Sequence, residues 1–166
     1  MVTWICSAES ERMLTVSSPK KGEIARRAGA DHVVDYRRED VGERVMTITA
    51  KRGVNAVIEL DLGANARLLP AVLAPNAVVA IYGSGTPEVS IPFPFLLQNS
   101  IALKFFLVYM MPPQLRARAT ADITHMLERG ELIHNVAQTF DLGEIAAAHE
   151  AVESGKAMGN IVVNTA

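Results

Sequence analysis

Residues 13–34 read MLTVSSPKKGEIARRAGADHVV, and the succession of elements in that stretch decides the fold. Met13 to Val16 reads as a short strand. Ser18 suits a helix N-cap, because its hydroxyl can accept a bond from an N–H of the first turn. Pro19 suits the first helical position, where no N–H is needed. Ile24, Ala25 and Ala28 recur at helical spacing as one apolar stripe, and Gly29 is a residue that ends helices. Val33-Val34 is the next strand. Strand, helix and strand in so short a span is the repeating unit of a sheet with helices on its faces.

The rhythm continues outward. Asp40-Val41-Gly42-Glu43 looks like a capping box, with Val41, Val45 and Ile48 following at helical spacing and Gly53 as the stop. Ala56 to Leu60 is a strand whose apolar run suits a sheet covered on both faces. Leu68, Leu69, Val72 and Leu73 give the stripe of another helix, closed by Pro75. Ala77 to Tyr82 is a strand ending at Gly83, followed by a proline-rich loop through Pro87, Pro92 and Pro94. Ile101 to Tyr109 reads as a longer strand. Pro113 to Arg129 reads as a helix with Leu115, Ala119, Ile123 and Met126 inward, stopped by Gly130. Asp141 and Glu144 form a second capping pair, the helix behind them runs to Ser154, and Ile161 to Val163 is a closing strand. The expected fold is α/β: a Rossmann-like, doubly wound, mostly parallel sheet over residues 13–130, then a C-terminal segment over residues 131–166.

One part of that fold is missing from the sequence. Such sheets normally open with a strand, a Gly-x-Gly-x-x-Gly turn and a helix, so that a pyrophosphate rests on backbone N–H groups. The nearest string, Gly83-Ser84-Gly85, is followed by Thr86-Pro87-Glu88 and opens no helix. Val2 to Cys6 has strand propensity, yet only seven residues separate Cys6 from Leu14. A parallel crossover needs about a dozen or more. Residues 1–12 are therefore expected to be atypical, either a remnant of a first helix over Thr3 to Glu11 or an unrelated tail. The sheet is expected to be truncated at its N-terminus, without its first strand and glycine-rich turn.

Composition excludes several classes. The chain has 166 residues, 49% hydrophobic and 20% charged, which is enough for one domain with a core and is not the composition of disorder. A net charge of −2 without a basic cluster argues against nucleic acid as a partner. The longest apolar stretch, Ile101 to Met111, carries Lys104 and is too short to span a bilayer, and no signal peptide is legible. A soluble cytoplasmic protein is expected, and the single cysteine, Cys6, fits a reducing compartment. His32, His125, His134 and His149 show no ligand spacing, and one cysteine cannot build a four-cysteine zinc site, so no metal site is expected. No Ser-His-Asp or Cys-His arrangement stands out, and the catalytic residues are unknown at this level.

AGADHVVDYRRED (28–40), GVNAVIE (53–59) and HEAVESGKAMGNIVV (149–163) resemble the quinone oxidoreductase branch of the medium-chain dehydrogenase/reductase family. The resemblance runs in unbroken order over about residues 13 to 165. It implies an NADPH-dependent, zinc-independent oxidoreductase that transfers a hydride to a quinone or an α,β-unsaturated carbonyl. It also implies a longer family chain whose catalytic domain precedes this part, and on which the C-terminal segment packs back. In the family's strand order the first strand lies between the second and fourth. The family pairs the strand equivalent to Ile101 to Tyr109 across a two-fold axis, so a homodimer through that strand is expected. The alternative is a non-catalytic, truncated module that folds or dimerises.

Candidate cofactor residues follow from both readings. NAD-selective domains place an Asp or Glu after the second strand to hold a ribose hydroxyl. Here Ser17, Ser18 and Lys21 stand there, with Lys20 and Lys21 in a first helical turn where the dipole disfavours cations. A 2′-phosphate would offset that cost; the plain alternative is a solvated helix start. The resemblance makes Lys21 a phosphate ligand and Tyr36 a hydroxyl donor to the same phosphate. Asp61-Leu62-Gly63 and Tyr82-Gly83-Ser84 end two strands, at the edge where open α/β sheets bind ligands. The first would line the ribose side and the second the nicotinamide side, and either is equally ordinary turn chemistry. By resemblance alone, Phe106 to Val108 would present backbone to a carboxamide, and Asn160 would reach the cofactor.

Overall fold

The computed structural model describes residues 3–5, 11–132 and 134–165, the first three by their backbone. The chain forms two compact units, residues 1–120 and 121–166.

The first unit is built on one six-stranded sheet. Its strands are β1 (Thr3–Ile5), β2 (Arg12–Val16), β3 (His32–Asp35), β4 (Val54–Glu59), β5 (Leu73–Ile81) and β6 (Ala102–Phe105). Their order is β3-β2-β1-β4-β5-β6. β2 and β3, β4 and β5, and β5 and β6 are parallel pairs. β1 is antiparallel to both neighbours, placing Thr3 opposite Leu14 and Ile58, and Ile5 opposite Arg12 and Ala56. β2 to β6 therefore run in one direction, and the fold is the expected Rossmann-like α/β sheet.

β1 corrects the reading of Thr3 to Ile5 as a helix remnant. The facing edges of β2 and β4 carry N–H and C=O groups that need partners, and a strand between them satisfies both. The short connection to β2 rules out a parallel crossover and permits an antiparallel neighbour. The slot expected for a parallel first strand is thus held by a strand of opposite direction. Residues 6–10 of the N-terminal segment lie outside the described residues.

Local signals place the first two helices, α1 (Pro19–Arg27) and α2 (Val41–Ile48). Ser18 Oγ accepts the Lys21 N–H at 3.4 Å, Asp40 Oδ1 accepts the Glu43 N–H at 2.8 Å, and Gly29 takes φ +92° at the end of α1. α3 (Leu62–Asn65), a 3-10 turn over Ala66–Leu68 and α4 (Leu69–Val72) follow β4. The core gathers Met13, Val34, Val45, Val54, Val57, Leu69, Val72 and Val79.

Three boundaries differ from the sequence reading. Leu73 opens β5 instead of completing a helical stripe, and Pro75 lies inside that strand. The register jumps from Val54–Leu73 to Ala56–Val78, so Pro75 sits in an irregularity that requires no ladder N–H. The proline-rich loop contains α5 (Phe93–Gln98), with Pro94 in its first turn. β6 stops at Phe105 rather than Tyr109. Its partner β5 ends at Ile81, whose carbonyl takes the last bond, from Phe106 N–H at 3.0 Å. Val108–Met110 is a 3-10 turn.

α6 (Pro113–Glu128) begins in the first unit and ends in the second. Leu115 and Ile123 are exposed, which corrects the expected inward stripe: periodicity marks an apolar face and does not supply its cover. The rest of the second unit is β7 (Val136–Asp141), α7 (Ile145–Glu153) and β8 (Asn160–Asn164), with β7 and β8 parallel. The Asp141–Glu144 capping box is formed in both directions, ahead of α7.

Candidate functional site

Parallel strands carry their loops out at one edge of the sheet, and the candidate residues of the first unit lie along it. Ser17 and Ser18 follow β2, Lys21 is in the first turn of α1, and Tyr36 follows β3. Ser18 Oγ is engaged as the N-cap. No acidic residue lies in the first turn of α1. Among the described residues, Lys21 makes no ion pair. Tyr36 is exposed, and its N–H donates to Val16 O at 3.0 Å. The loop that presents it is clasped: Asp35 N–H donates to Glu39 Oε1 at 2.8 Å, Asp35 Oδ1 accepts the Arg37 N–H at 3.1 Å, and Glu39 Oε2 meets Arg44 Nε at 3.4 Å.

A second group gathers at the ends of β4, β5 and β6. Asp61 Oδ1 accepts the N–H of Gly85 at 2.9 Å and that of Ala64 at 3.3 Å. Leu62 N–H donates to Gly83 O at 3.3 Å, and Tyr82 N–H to Glu59 O at 3.1 Å. The loops after β4 and β5 are in such close contact that a Cβ on Gly63 would lie 2.9 Å from Ser84 Oγ, and one on Gly83 would meet the Leu60 carbonyl. Asp61, Gly63, Tyr82, Gly83 and Ser84 are therefore neighbours. Beside them is a cavity of about 530 Å³ lined by Tyr82, Gly83, Ser84, Phe106 and Leu107 with Leu62, Ile81, Val89, Ile91 and Phe105. The Tyr82 and Phe106 rings pack with centroids 5.8 Å apart. The cavity wall is largely apolar, and its side-chain polar groups are the hydroxyls of Tyr82 and Ser84, so it suits a flat, weakly polar ring.

The slot held by β1 separates these two groups. Phe106 N–H is already used by Ile81 O, and Val108 is exposed on the 3-10 turn beyond β6. Asn160 belongs to the second unit, where its N–H donates to Asn135 O at 2.7 Å.

One residue of this edge carries no signal as a site from its spacing. Glu59 is fully buried. Its Oε1 accepts the Asp61 N–H at 2.6 Å and Asn65 Nδ2 at 2.9 Å, and its Oε2 is buried without a hydrogen-bond partner among the described residues. The signal available in the sequence is a lone carboxylate in the apolar run Ala56 to Leu60.

The sequence pattern of the family described as zinc-binding dehydrogenase matches residues 28–163. The chain belongs to that family. A 2-haloacrylate reductase from a Burkholderia species is 27% identical over 171 residues, covering 98% of this chain and 50% of its own. A quinone oxidoreductase from Pseudomonas aeruginosa is 26% identical over 159 residues, covering 90% and 47%. Among solved structures, a 2-haloacrylate reductase matches with a TM-score of 0.75 at 26% identity over 93% of this chain and 50% of that one. An alcohol dehydrogenase from Aeropyrum pernix matches with a TM-score of 0.74 at 26% identity over 91% and 42%. These relatives place the zinc-binding dehydrogenase chain among the medium-chain dehydrogenases/reductases, and it spans about half their length. Among the described residues, no three His, Cys, Asp or Glu side chains gather in a set that could hold a metal ion. No helix among them is long and apolar enough to cross a membrane.

Proposed function

We propose that this chain is the nucleotide-binding part of an NADPH-dependent oxidoreductase that reduces a quinone or an α,β-unsaturated carbonyl in the cytoplasm. The observation that carries the cofactor choice is at the end of β2, where Ser17, Ser18 and Lys21 stand, Lys21 in no ion pair among the described residues, and the first turn of α1 has no acid. A ribose 2′-hydroxyl finds no carboxylate there, and a 2′-phosphate finds a cation and hydroxyls. Tyr36, held out by the clasped loop after β3, adds a phenolic donor. Toward the other end, Asp61 and the close-packed Gly63 offer a ribose a carboxylate oxygen and room for approach. The apolar cavity beside Tyr82, Gly83, Ser84 and Phe106 fits the nicotinamide ring. Val108 and Asn160 belong to the same set by resemblance.

Bound NADPH supplies the hydride. This chain's residues would hold its two ends, orient the ring against the cavity wall and keep water from it. Titration tests the assignment: NADPH is expected to bind more tightly than NADH. Lys21→Ala is expected to weaken NADPH by about tenfold, as loss of one charge-assisted contact does, and to leave NADH little changed. Equal affinities in the unmutated chain would refute it.

Assembly is a separate reading. β6 is the edge strand of the sheet, and Phe105, Phe106, Leu107, Val108, Tyr109 and Met110 are all exposed. A bare apolar edge invites pairing with another chain, which supports a homodimer through Ile101 to Tyr109. Leu107→Glu or Val108→Glu is expected to give a monomer mass in light scattering where the unmutated chain gives a dimer. A monomer mass for the unmutated chain at high concentration would count against it. The alternative, a module that folds or dimerises without catalysis, is favoured by one observation: an antiparallel strand holds the slot from which a glycine turn would otherwise emerge.

A further inference from the structure

We infer that Glu59 is a positioning residue that sets the spacing of the two loops flanking the cavity, acting through Asp61 and without touching a ligand. The residue ends β4, and its side chain is fully buried. One oxygen, Oε1, receives two donors: the backbone N–H of Asp61 at 2.6 Å and Asn65 Nδ2 at 2.9 Å. The first fixes where the chain turns out of β4. The second ties that turn to the far end of α3. Asp61, so held, points its own Oδ1 at the N–H of Gly85 in the loop after β5, at 2.9 Å. The relay therefore runs from Asn65 through Glu59 and Asp61 to Gly85, crossing from the β4 loop to the β5 loop.

The chemistry favours this role over a plain packing one. A buried carboxylate is tolerated only where donors compensate its desolvation. Here both compensating donors lie within six residues of Glu59 on the same turn, and among the described residues Oε2 receives none. A residue serving the core alone would be replaced at less cost by an aliphatic of the same size, because taking a carboxyl group out of water is unfavourable. The arrangement trades that cost for a defined turn. The turn in turn decides how near Gly63 comes to Ser84, and so how wide the cavity mouth is.

The role of the relay in cofactor affinity rests on the function proposed above, and the test separates the two. Amide hydrogen exchange is measured at Asp61, Gly85 and Gly53 in the unmutated chain, in Glu59→Gln, in Glu59→Leu and in Asn65→Leu. Glu59→Gln keeps an oxygen acceptor and is expected to leave Gly85 exchange within about threefold. Glu59→Leu is expected to speed exchange at Gly85, which Glu59 does not touch, by about tenfold or more, with Asn65→Leu between the two. The Gly53 N–H, bonded to Thr49 Oγ1 at 3.0 Å away from the relay, is expected to stay unchanged. If Gly85 and Gly53 speed up together, or if Gly85 does not respond, the relay is overturned. If Glu59→Leu fails to fold, Asn65→Leu carries the same comparison: a Gly85 response without a Gly53 response supports the relay, and its absence overturns it. NADPH titration of the same variants is the second arm. A tenfold weakening with an unchanged preference for NADPH over NADH supports the relay acting on the cofactor. A Gly85 response with unchanged NADPH affinity leaves the relay standing and refutes the assignment of these loops to the cofactor.

Discussion

Gly83→Val is expected to weaken dinucleotide binding by at least about tenfold and to lower the melting temperature. Gly83 follows β5, and a Cβ there would run into the carbonyl oxygen of Leu60 and lie 3.3 Å from Leu60 Cδ1. The first obstacle is backbone, so no rotamer change relieves it. β4 and β5 must part at their carboxyl ends, straining the bonds from Leu62 N–H to Gly83 O and from Tyr82 N–H to Glu59 O. Overpacking of this kind costs about 1–3 kcal/mol, and a chain of this size shifts by roughly 2–4 °C in Tm per kcal/mol. Gly143→Val is the matched control, since among the described residues nothing lies within 4 Å of a Cβ there. Equal melting temperatures for the two variants would show that the Leu60–Gly83 contact is not a tight one.

The same contact shows what a linear reading can and cannot reach. Caps and stops act over a few residues, so Ser18, Pro19, Asp40 and Gly29 put α1 and α2 where their sequence signals stand. The carboxyl ends of β4 and β5 are legible to within a residue for the same reason, and Asp61, Gly83 and Ser84 stand just beyond them. The features that differ depend on partners far along the chain. Ile101 to Met111 is apolar apart from Lys104, yet β6 ends at Phe105 because the β5 ladder ends at Ile81. Pro75 is tolerated inside β5 because the register jump removes the need for its N–H. Thr3 to Ile5 is a strand because β2 and β4 both present open edges to it. Glu59 belongs with these. Its lone charge in an apolar run signals buried compensation, but the donor Asn65 comes into reach only after α3 turns the chain back.

Assayed alone, the 166-residue chain is expected to oxidise NADPH with a simple quinone no faster than the uncatalysed background. The reason lies between the two groups of candidate residues. A dinucleotide that reaches from Lys21 to the Tyr82 cavity must pass the carboxyl edge of the slot between β2 and β4. In an intact Rossmann-like sheet a parallel strand ends there in a glycine turn, and the N–H groups of the following helix hold the pyrophosphate. Here β1 is antiparallel, with Thr3 opposite Leu14 and Ile58. It begins at that edge instead of ending there, so it delivers no helix N-terminus to it. A cofactor held only at its two ends is poorly oriented, and orientation of reacting groups is worth ~7–11 kcal/mol of a barrier. The assay uses purified chain with a cooperative thermal melt as evidence of folding, and no partner polypeptide. NADPH consumption well above background would sink this expectation, and would mean that residues 1–12 supply a pyrophosphate site that their sequence does not reveal.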